Sequence, residues 1–216
     1  MIRSEIVDYF RAECPEAPSR VVSDTVLHNW LLMADKEFCA ATRCIVDADG
    51  TTITTAENDY FWDLSAEITK FYDVDNFPGS GVLYNNKKLD KATMGELDND
   101  SPTWRDWGSG TPKKWYRRGK YLYLDRKIDS AAEDIKVYSV LISDDWNADV
   151  APFNQLAHLE PFHQSMVLYL VAKAKIKVGK PEEAVSAQNE YMAFLRWAKT
   201  LIGGNKYGPI FFQKKV

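Results

Sequence analysis

Residues 104–124 read WRDWGSGTPKKWYRRGKYLYL, a stretch in which tryptophans and tyrosines are interleaved with lysines and arginines around glycine-containing turns. Its last part, KYLYLD, alternates with a period of two, which is typical of a β-strand. A turn at Arg118-Gly119 would pair this strand with the preceding KKWY segment. The stretch therefore predicts an antiparallel hairpin.

The two faces of that hairpin differ little in polarity. Leu122 and Leu124 fall on one face, and Tyr121 and Tyr123 fall on the other. Large apolar patches are rarely left exposed on monomers. We therefore expect both faces to be covered, the second one by a neighbouring subunit.

Similar short segments surround the hairpin from about Thr51 to Leu141. They are rich in β-branched and aromatic residues and are separated by Gly, Pro and Asn-Asn: TTITT, YFWDLSAEITKFYDV, GVLYNNKKL and DIKVYSVLI. Residues 92–100, ATMGELDND, are the one helical turn predicted among them. This part of the chain predicts an antiparallel sheet domain.

Helical periodicity precedes this region. A helix is predicted from Arg3 to about Ala12, ended by Cys14-Pro15, because the residue before a proline avoids the helical conformation. A longer helix is predicted after the capping residues Ser23 and Asp24. Its apolar stripe consists of Leu27, Leu31, Ala34, Phe38, Ala41 and Ile45.

A helical hairpin is predicted after the sheet region. Its first helix has Pro161 in the first turn and ends at Gly179, and Pro181 opens the second, which ends at Gly203-Gly204. The first stripe is Leu159, Phe162, Met166, Leu170 and Ala174. The second stripe is Ala184, Ala187, Tyr191, Phe194, Ala198 and Leu201.

Together these patterns predict an α+β fold. Residues 1–48 and 152–202 form a helical bundle, residues 49–151 form an inserted β-rich domain, and residues 203–216 form an extended C-terminal tail. An isolated tail has no core of its own. We expect it to dock on its own subunit or on another chain through Tyr207, Ile210, Phe211 and Phe212.

Composition and charge limit the class of protein. The net charge of −4 combines an excess of basic residues from position 155 onward with an acidic body before it. The three cysteines, Cys14, Cys39 and Cys44, lack metal-site spacing and predict free thiols in a reducing compartment. The acidic N-terminus does not resemble a signal peptide, and no run approaches the roughly 18 apolar residues of a membrane span. We therefore expect no membrane partner.

Catalytic and phosphate-binding motifs are not recognisable in the sequence. Gly108 and Gly110 are too close for a phosphate-binding loop, and the calcium-loop-like DADG at residues 47–50 has Asn58 where a glutamate is needed. The histidines, His28, His158 and His163, are expected on helix surfaces or caps. We expect a non-enzymatic protein without cofactor or metal.

Two binding functions remain as alternatives. The basic residues Lys113, Lys114, Arg117, Arg118 and Lys120 lie beside Trp115 and Tyr116, a combination typical of single-stranded nucleic-acid binding. The acidic remainder of the domain weakens that interpretation. Alternatively, Trp104, Trp107 and Trp115 could stack on carbohydrate in a tail accessory protein.

The order of elements, with LDKATMGELDNDSPTW before the hairpin and IKVYSVLI after it, resembles the head-to-tail adaptor (connector) proteins of tailed bacteriophages, especially short-tailed ones. The resemblance covers residues 20–202, and Arg126-Lys127 stands where family members often have a proline pair. Its motif is carried by Leu89, Asp90, Leu97, Asp98, Trp104, Gly110, Pro112, Trp115, Tyr116, Gly119, Leu122 and Leu124.

The resemblance implies a structural virion protein, made in the host cytoplasm and located at the head-tail junction. Its partners would be further copies in a dodecameric ring, the portal protein, a tail or nozzle protein, and DNA that passes through without sequence-specific binding. The expected partner-interface residues are Lys113, Lys114, Trp115, Arg117, Arg118, Tyr121, Tyr123, Tyr207, Ile210, Phe211 and Phe212.

Overall fold

The structure, a computed structural model, describes residues 1–75, 80–100, 108–129, 134–143, 151–153 and 157–203. Within these residues the fold is α+β, as the sequence predicts. The chain divides into two compact units, one formed by Met1–Ile45 and Ile142–Val216, the other by Val46–Leu141. The sequence places these boundaries after residues 48 and 151, three and ten positions further along the chain.

Six helices, ten strands and a 3₁₀ segment make up the described part of the chain. In chain order they are α1 Arg3–Glu13, α2 Asp24–Thr42, β1 Thr51–Thr54, β2 Phe61–Asp63, α3 Leu64–Glu67, β3 Phe71–Val74, β4 Val82–Tyr84, β5 Lys87–Lys88, β6 Asp90–Lys91, α4 Met94–Asp100, β7 Lys114–Arg118, β8 Tyr121–Leu124, β9 Asp134–Val137, β10 Ser139–Leu141, the 3₁₀ segment Ala157–Phe162, α5 His163–Lys177 and α6 Pro181–Gly203.

Helix α5 is the centre of the helical unit. It packs against α1, α2 and α6, and most of its circumference is buried, which is typical of a core helix. Phe38 of α2 stacks on Phe153 at 4.2 Å between ring centroids and also contacts Phe162. The helices from both ends of the chain therefore share one core.

Three details of the helical unit differ from the predictions. Helix α2 ends at Thr42, with Arg43 in the left-handed conformation, so Ile45 is buried beyond the helix. Pro161 lies in the 3₁₀ segment and α5 begins after it. In α6, Leu195 is buried where Phe194 was expected, and Leu201 is 52% exposed. Leu195 and Ala198 follow Tyr191 by four and seven residues, which keeps all three on one face.

A fully buried ion pair joins the two N-terminal helices of the helical unit. Arg3 of α1 contacts the carboxylate of Asp35 on α2, and neither side chain is exposed to solvent. Asp35 also accepts hydrogen bonds from the Ser143 hydroxyl at 2.6 Å and the Phe153 backbone N–H at 3.0 Å. One carboxylate thus joins two N-terminal helices to the chain that returns after the β unit.

The described residues of the β unit form three small sheets. Their strand orders are β1-β9-β4-β5, β3-β10 and β2-β8-β7-β6. All pairings between these strands are antiparallel except the short pairing of β6 with β7, so the predicted antiparallel domain is in fact mixed. Residues from all three sheets, among them Trp62, Val74 and Ile135, share one apolar core.

Two predicted strands are interrupted. The segment predicted as YFWDLSAEITKFYDV contains α3, because the Asp63 carboxylate accepts hydrogen bonds from the Ser65 N–H and hydroxyl and caps a helical turn. Residues 92–100 are therefore not the one helical turn. The strand predicted as DIKVYSVLI changes sheets at Tyr138, whose N–H donates to Gly81 and whose carbonyl accepts from Asp75.

We predict that Asp35→Ala lowers the free energy of unfolding by about 3–5 kcal/mol, because it leaves the Arg3 charge buried without its carboxylate. Chemical denaturation followed by circular dichroism measures the change. The matched control is Asp24→Ala. Asp24 lies on α2 like Asp35, but its carboxylate is exposed and pairs with Arg11 of α1, so its removal should lower the free energy of unfolding by about 1 kcal/mol or less. Equal losses in the two variants would contradict the prediction.

A second ion network ties the chain after α1 to the turn between α5 and α6. Lys175 contacts Glu16 and also Glu183, the latter at 2.5 Å, while Lys180 lies 3.5 Å from Glu16. The hydrogen bond from Lys175 lowers the pKa of Glu16 from 4.5 to about 2. The charged carboxylate is therefore favoured in the folded protein.

Because the folded pKa of Glu16 is depressed, its stabilising contribution is present above about pH 4.5 and is lost as the pH falls toward 2. We predict that wild type loses more unfolding free energy than Glu16→Gln between pH 5 and pH 3. Urea titrations at the two pH values measure this difference. Parallel pH profiles would show that Glu16 is not held by Lys175.

Candidate interaction surface on the hairpin sheet

The predicted hairpin is present as β7 and β8. Arg118 and Tyr121 are the closing pair, so the turn consists of Gly119-Lys120 rather than Arg118-Gly119. Gly119 has a φ of +61°, and Lys120 is not among the residues of positive φ, the pattern of a type II′ hairpin turn. The glycine supplies a backbone conformation that other residues adopt only with strain.

A buried aspartate fixes the open end of the hairpin. The Asp125 carboxylate accepts the backbone N–H groups of Lys113 at 3.0 Å and Lys114 at 3.1 Å, and its own N–H donates to the Lys114 carbonyl. This arrangement holds the chain at the start of β7 and at the end of β8. It defines the exit of the hairpin, next to Arg126-Lys127.

One face of the hairpin sheet is core. Leu122 and Leu124 are fully buried, and Trp115, opposite Leu124, is only 1% exposed. Trp115 was expected among the partner-interface residues and among the sugar-stacking residues. The structure corrects both expectations, since this ring is enclosed by its own domain.

The opposite face carries a group of contacting rings, which we call the aromatic face: Tyr60, Phe61, Tyr116, Tyr121 and Tyr123. Tyr123 stacks on Tyr116 with ring centroids 4.7 Å apart and on Phe61 at 5.8 Å. Tyr60 meets Phe61 edge-on at 5.2 Å. Such offset and edge contacts are the arrangements that aromatic rings prefer.

Helix α4 covers only part of the aromatic face. Ala92 and Leu97 pack with Tyr116 and Tyr123 in a small apolar cluster, so the cover expected from a neighbouring subunit is supplied in this part of the face by the same chain. Phe61 remains 49% exposed, and Tyr60 and Tyr121 are half-buried. An apolar, partly open surface is left at the edge of the sheet.

Tyr60 and Phe61 were not among the predicted interface residues. A signal for Phe61 exists in the alternation of YFWD, where Trp62 takes the core position and Phe61 must face the other way. Their pairing with Tyr123 depends on the contact of β2 with β8, which are separated by a long stretch of sequence. Local pattern does not reveal such a pairing.

Most of the basic cluster is paired with carboxylates of the same chain. Lys114 lies 2.5 Å from Asp100, Arg117 lies 3.1 Å from Asp73, and Lys120 lies 2.5 Å from Asp63. These hydrogen bonds raise the pKa of Lys114 and of Lys120, and the bond from Lys120 lowers the pKa of Asp63.

The two remaining cations of the cluster are exposed. Within the residues that the structure describes, Lys113 and Arg118 make no ion pair. Arg118 is directly opposite Tyr121 and therefore belongs to the aromatic face. The cluster thus offers a partner two free charges rather than five, which weakens the nucleic-acid alternative.

Other expected site residues lie outside the described part of the chain. These are the tail residues Tyr207, Ile210, Phe211 and Phe212, and the tryptophans Trp104 and Trp107. The loop at residues 47–50 is described, and there the Asp47 carboxylate accepts from the Gly50 N–H and the Thr51 hydroxyl. These bonds are those of a turn.

One histidine and the three cysteines of the described residues are buried. His163 was expected at a surface or cap, but it is buried at the start of α5, and desolvation lowers its pKa to about 4. The three cysteines are buried free thiols.

Among the described residues no group of three or more His, Cys, Asp or Glu is arranged to hold a metal ion. No helix in that part of the chain has the length and apolar character needed to span a membrane.

We predict that Asp125→Ala destabilises the β unit by about 2 kcal/mol, because it leaves the Lys113 and Lys114 N–H groups without their acceptor. Asp125→Asn retains a carbonyl oxygen and serves as the control, with a smaller loss. Thermal and urea unfolding compare the two. Equal stability of Asp125→Ala and wild type would contradict the assigned role.

No protein-family model matches the chain, and no curated protein sequence matches it.

Proposed function

We propose that the chain is a head-tail adaptor, a structural virion subunit that assembles into a ring between a portal and a tail. The order of its elements supports this proposal. Two N-terminal helices, a β unit and a C-terminal helical hairpin follow one another in the order of the resembled family. The feature of the described residues on which the proposal depends is a surface, the aromatic face, and not a catalytic group.

The observation that carries the proposal is the aromatic face of the hairpin sheet. Its rings are ordered by mutual stacking, yet Phe61 is half-exposed in the isolated chain. The helical unit also exposes Trp197 and Leu201 on α6. Large aromatic groups in contact with one another at a surface are enriched at protein interfaces.

The proposed partners are further copies in a dodecameric ring, the portal protein, and a tail or nozzle protein. DNA would pass through the ring without sequence-specific contacts. The internal ion pairs of Lys114, Arg117 and Lys120 support this passive role, since they leave few cations of the hairpin for phosphate. The proposed location is the head-tail junction of a virion assembled from protein made in the host cytoplasm.

Negative-stain microscopy of the purified chain, alone and mixed with a portal, tests this function. We expect closed rings of one rotational symmetry, because a head-to-tail contact closes when its rotation divides a full turn. A chain that stays monomeric and does not bind the portal would contradict the proposal. Salt-dependent oligonucleotide binding that is lost in Arg117→Ala/Arg118→Ala would instead favour the nucleic-acid alternative.

A further inference from the structure

The outward side of α1 is an acidic face. Glu5, Asp8, Tyr9, Ala12 and Glu13 are all exposed and are spaced to lie along one side of the helix. Tyr9 is 55% exposed. A surface groove runs beside this ring, lined by Met1, Glu5, Asp8, Tyr9 and Ala12.

The arginines of α1 do not neutralise the acidic face. Arg3 is fully buried against Asp35. Arg11 is held by the Ala17 and Val22 carbonyls and by Asp24. The acidic face therefore combines carboxylates with an exposed aromatic ring and has no cation of α1 beside them.

The aromatic face has the opposite character. Its exposed centre is Phe61 with Tyr121, and Arg118 beside Tyr121 carries a charge that no carboxylate of the described residues pairs. Lys114 and Lys120 are already neutralised by Asp100 and Asp63.

Charge decides how two copies would meet. Pairing two aromatic faces brings Arg118 of one copy against the same cation of the other. Pairing two acidic faces opposes carboxylates. Only the contact of unlike faces is complementary, and a contact between two different patches is heterologous, the kind that builds rings.

We propose that the aromatic face of one copy docks on the acidic face of the next copy. This inference rests on the proposed function, because it names the surfaces through which the ring subunits would join. Phe61 and Tyr121 pack beside Tyr9 in this contact, and Arg118 pairs with a carboxylate among Glu5, Asp8 and Glu13.

Two variants of the full chain test the interface by sedimentation velocity under conditions in which wild type forms rings. The sheet variant is Phe61→Ser/Arg118→Glu, and the helix variant is Asp8→Arg/Tyr9→Ser. Circular dichroism first verifies that both are folded. Each alone should remain monomeric, with subunit affinity weakened about 100-fold or more, because central aromatic and arginine residues dominate interface energy.

An equimolar mixture of the two variants gives the decisive result. The intact helix face of the sheet variant can bind the intact sheet face of the helix variant, but each partner then presents a damaged second face. We therefore expect dimers and nothing larger. In addition, Arg118→Glu combined with Asp8→Arg in one chain should restore assembly by exchanging the charges.

Charge reversal at exposed Glu190 on α6 is the matched control and should leave assembly unchanged. If either variant alone forms rings as wild type does, or if the mixture stays monomeric, the interface is overturned while the adaptor function stands. If wild type forms no rings even with a portal, the proposed function itself fails and takes the interface with it.

Discussion

The helical unit depends on one carboxylate. Asp35 is removed from water together with Arg3, and a buried charge is tolerated only when its partner and its remaining hydrogen bonds are in place. Ser143 and the Phe153 N–H supply those bonds from the chain that returns after the β unit. The helical unit is complete only when the segments before and after the β unit have come together. The stretch of sequence between those segments is longer than either α1 or α2.

The contacts of Asp35 with the returning segment explain how the helical unit can contain an inserted β unit. The polypeptide leaves the helical unit after Ile45 and re-enters it at Ile142, so the insertion interrupts the helical unit at a single place in the sequence. The β unit has its own core around Trp62, Trp115 and Ile135. Because that core takes one side of the hairpin sheet, the remaining aromatic rings are displayed on the other side, where α4 covers them only in part.

The sequence predicted the features that follow from local periodicity. The α2 stripe of Leu27, Leu31 and Phe38 is buried, and the period of two in KYLYLD places Leu122 and Tyr123 on opposite faces. It did not predict features that depend on distant partners. From the sequence alone, Asp35 resembles a solvent-exposed helix residue, because its partners Arg3 and Ser143 are far away in the chain.

The same limit applies to the candidate surface. The basic residues of the hairpin are conspicuous in sequence, but Asp63, Asp73 and Asp100, which pair with them, come from other elements. Trp115 is conspicuous for its size, yet size favours the core as much as an interface.

Native mass spectrometry of the purified chain tests the central claim, that these surfaces join like copies into a closed ring, most directly. A heterologous contact that closes gives one dominant stoichiometry with few intermediates, since every subunit in a ring gains two contacts. We predict a single high-order species whose mass is an integral multiple of the 24.7 kDa chain. A spectrum of monomers alone, or an open-ended ladder without a preferred size, would contradict it.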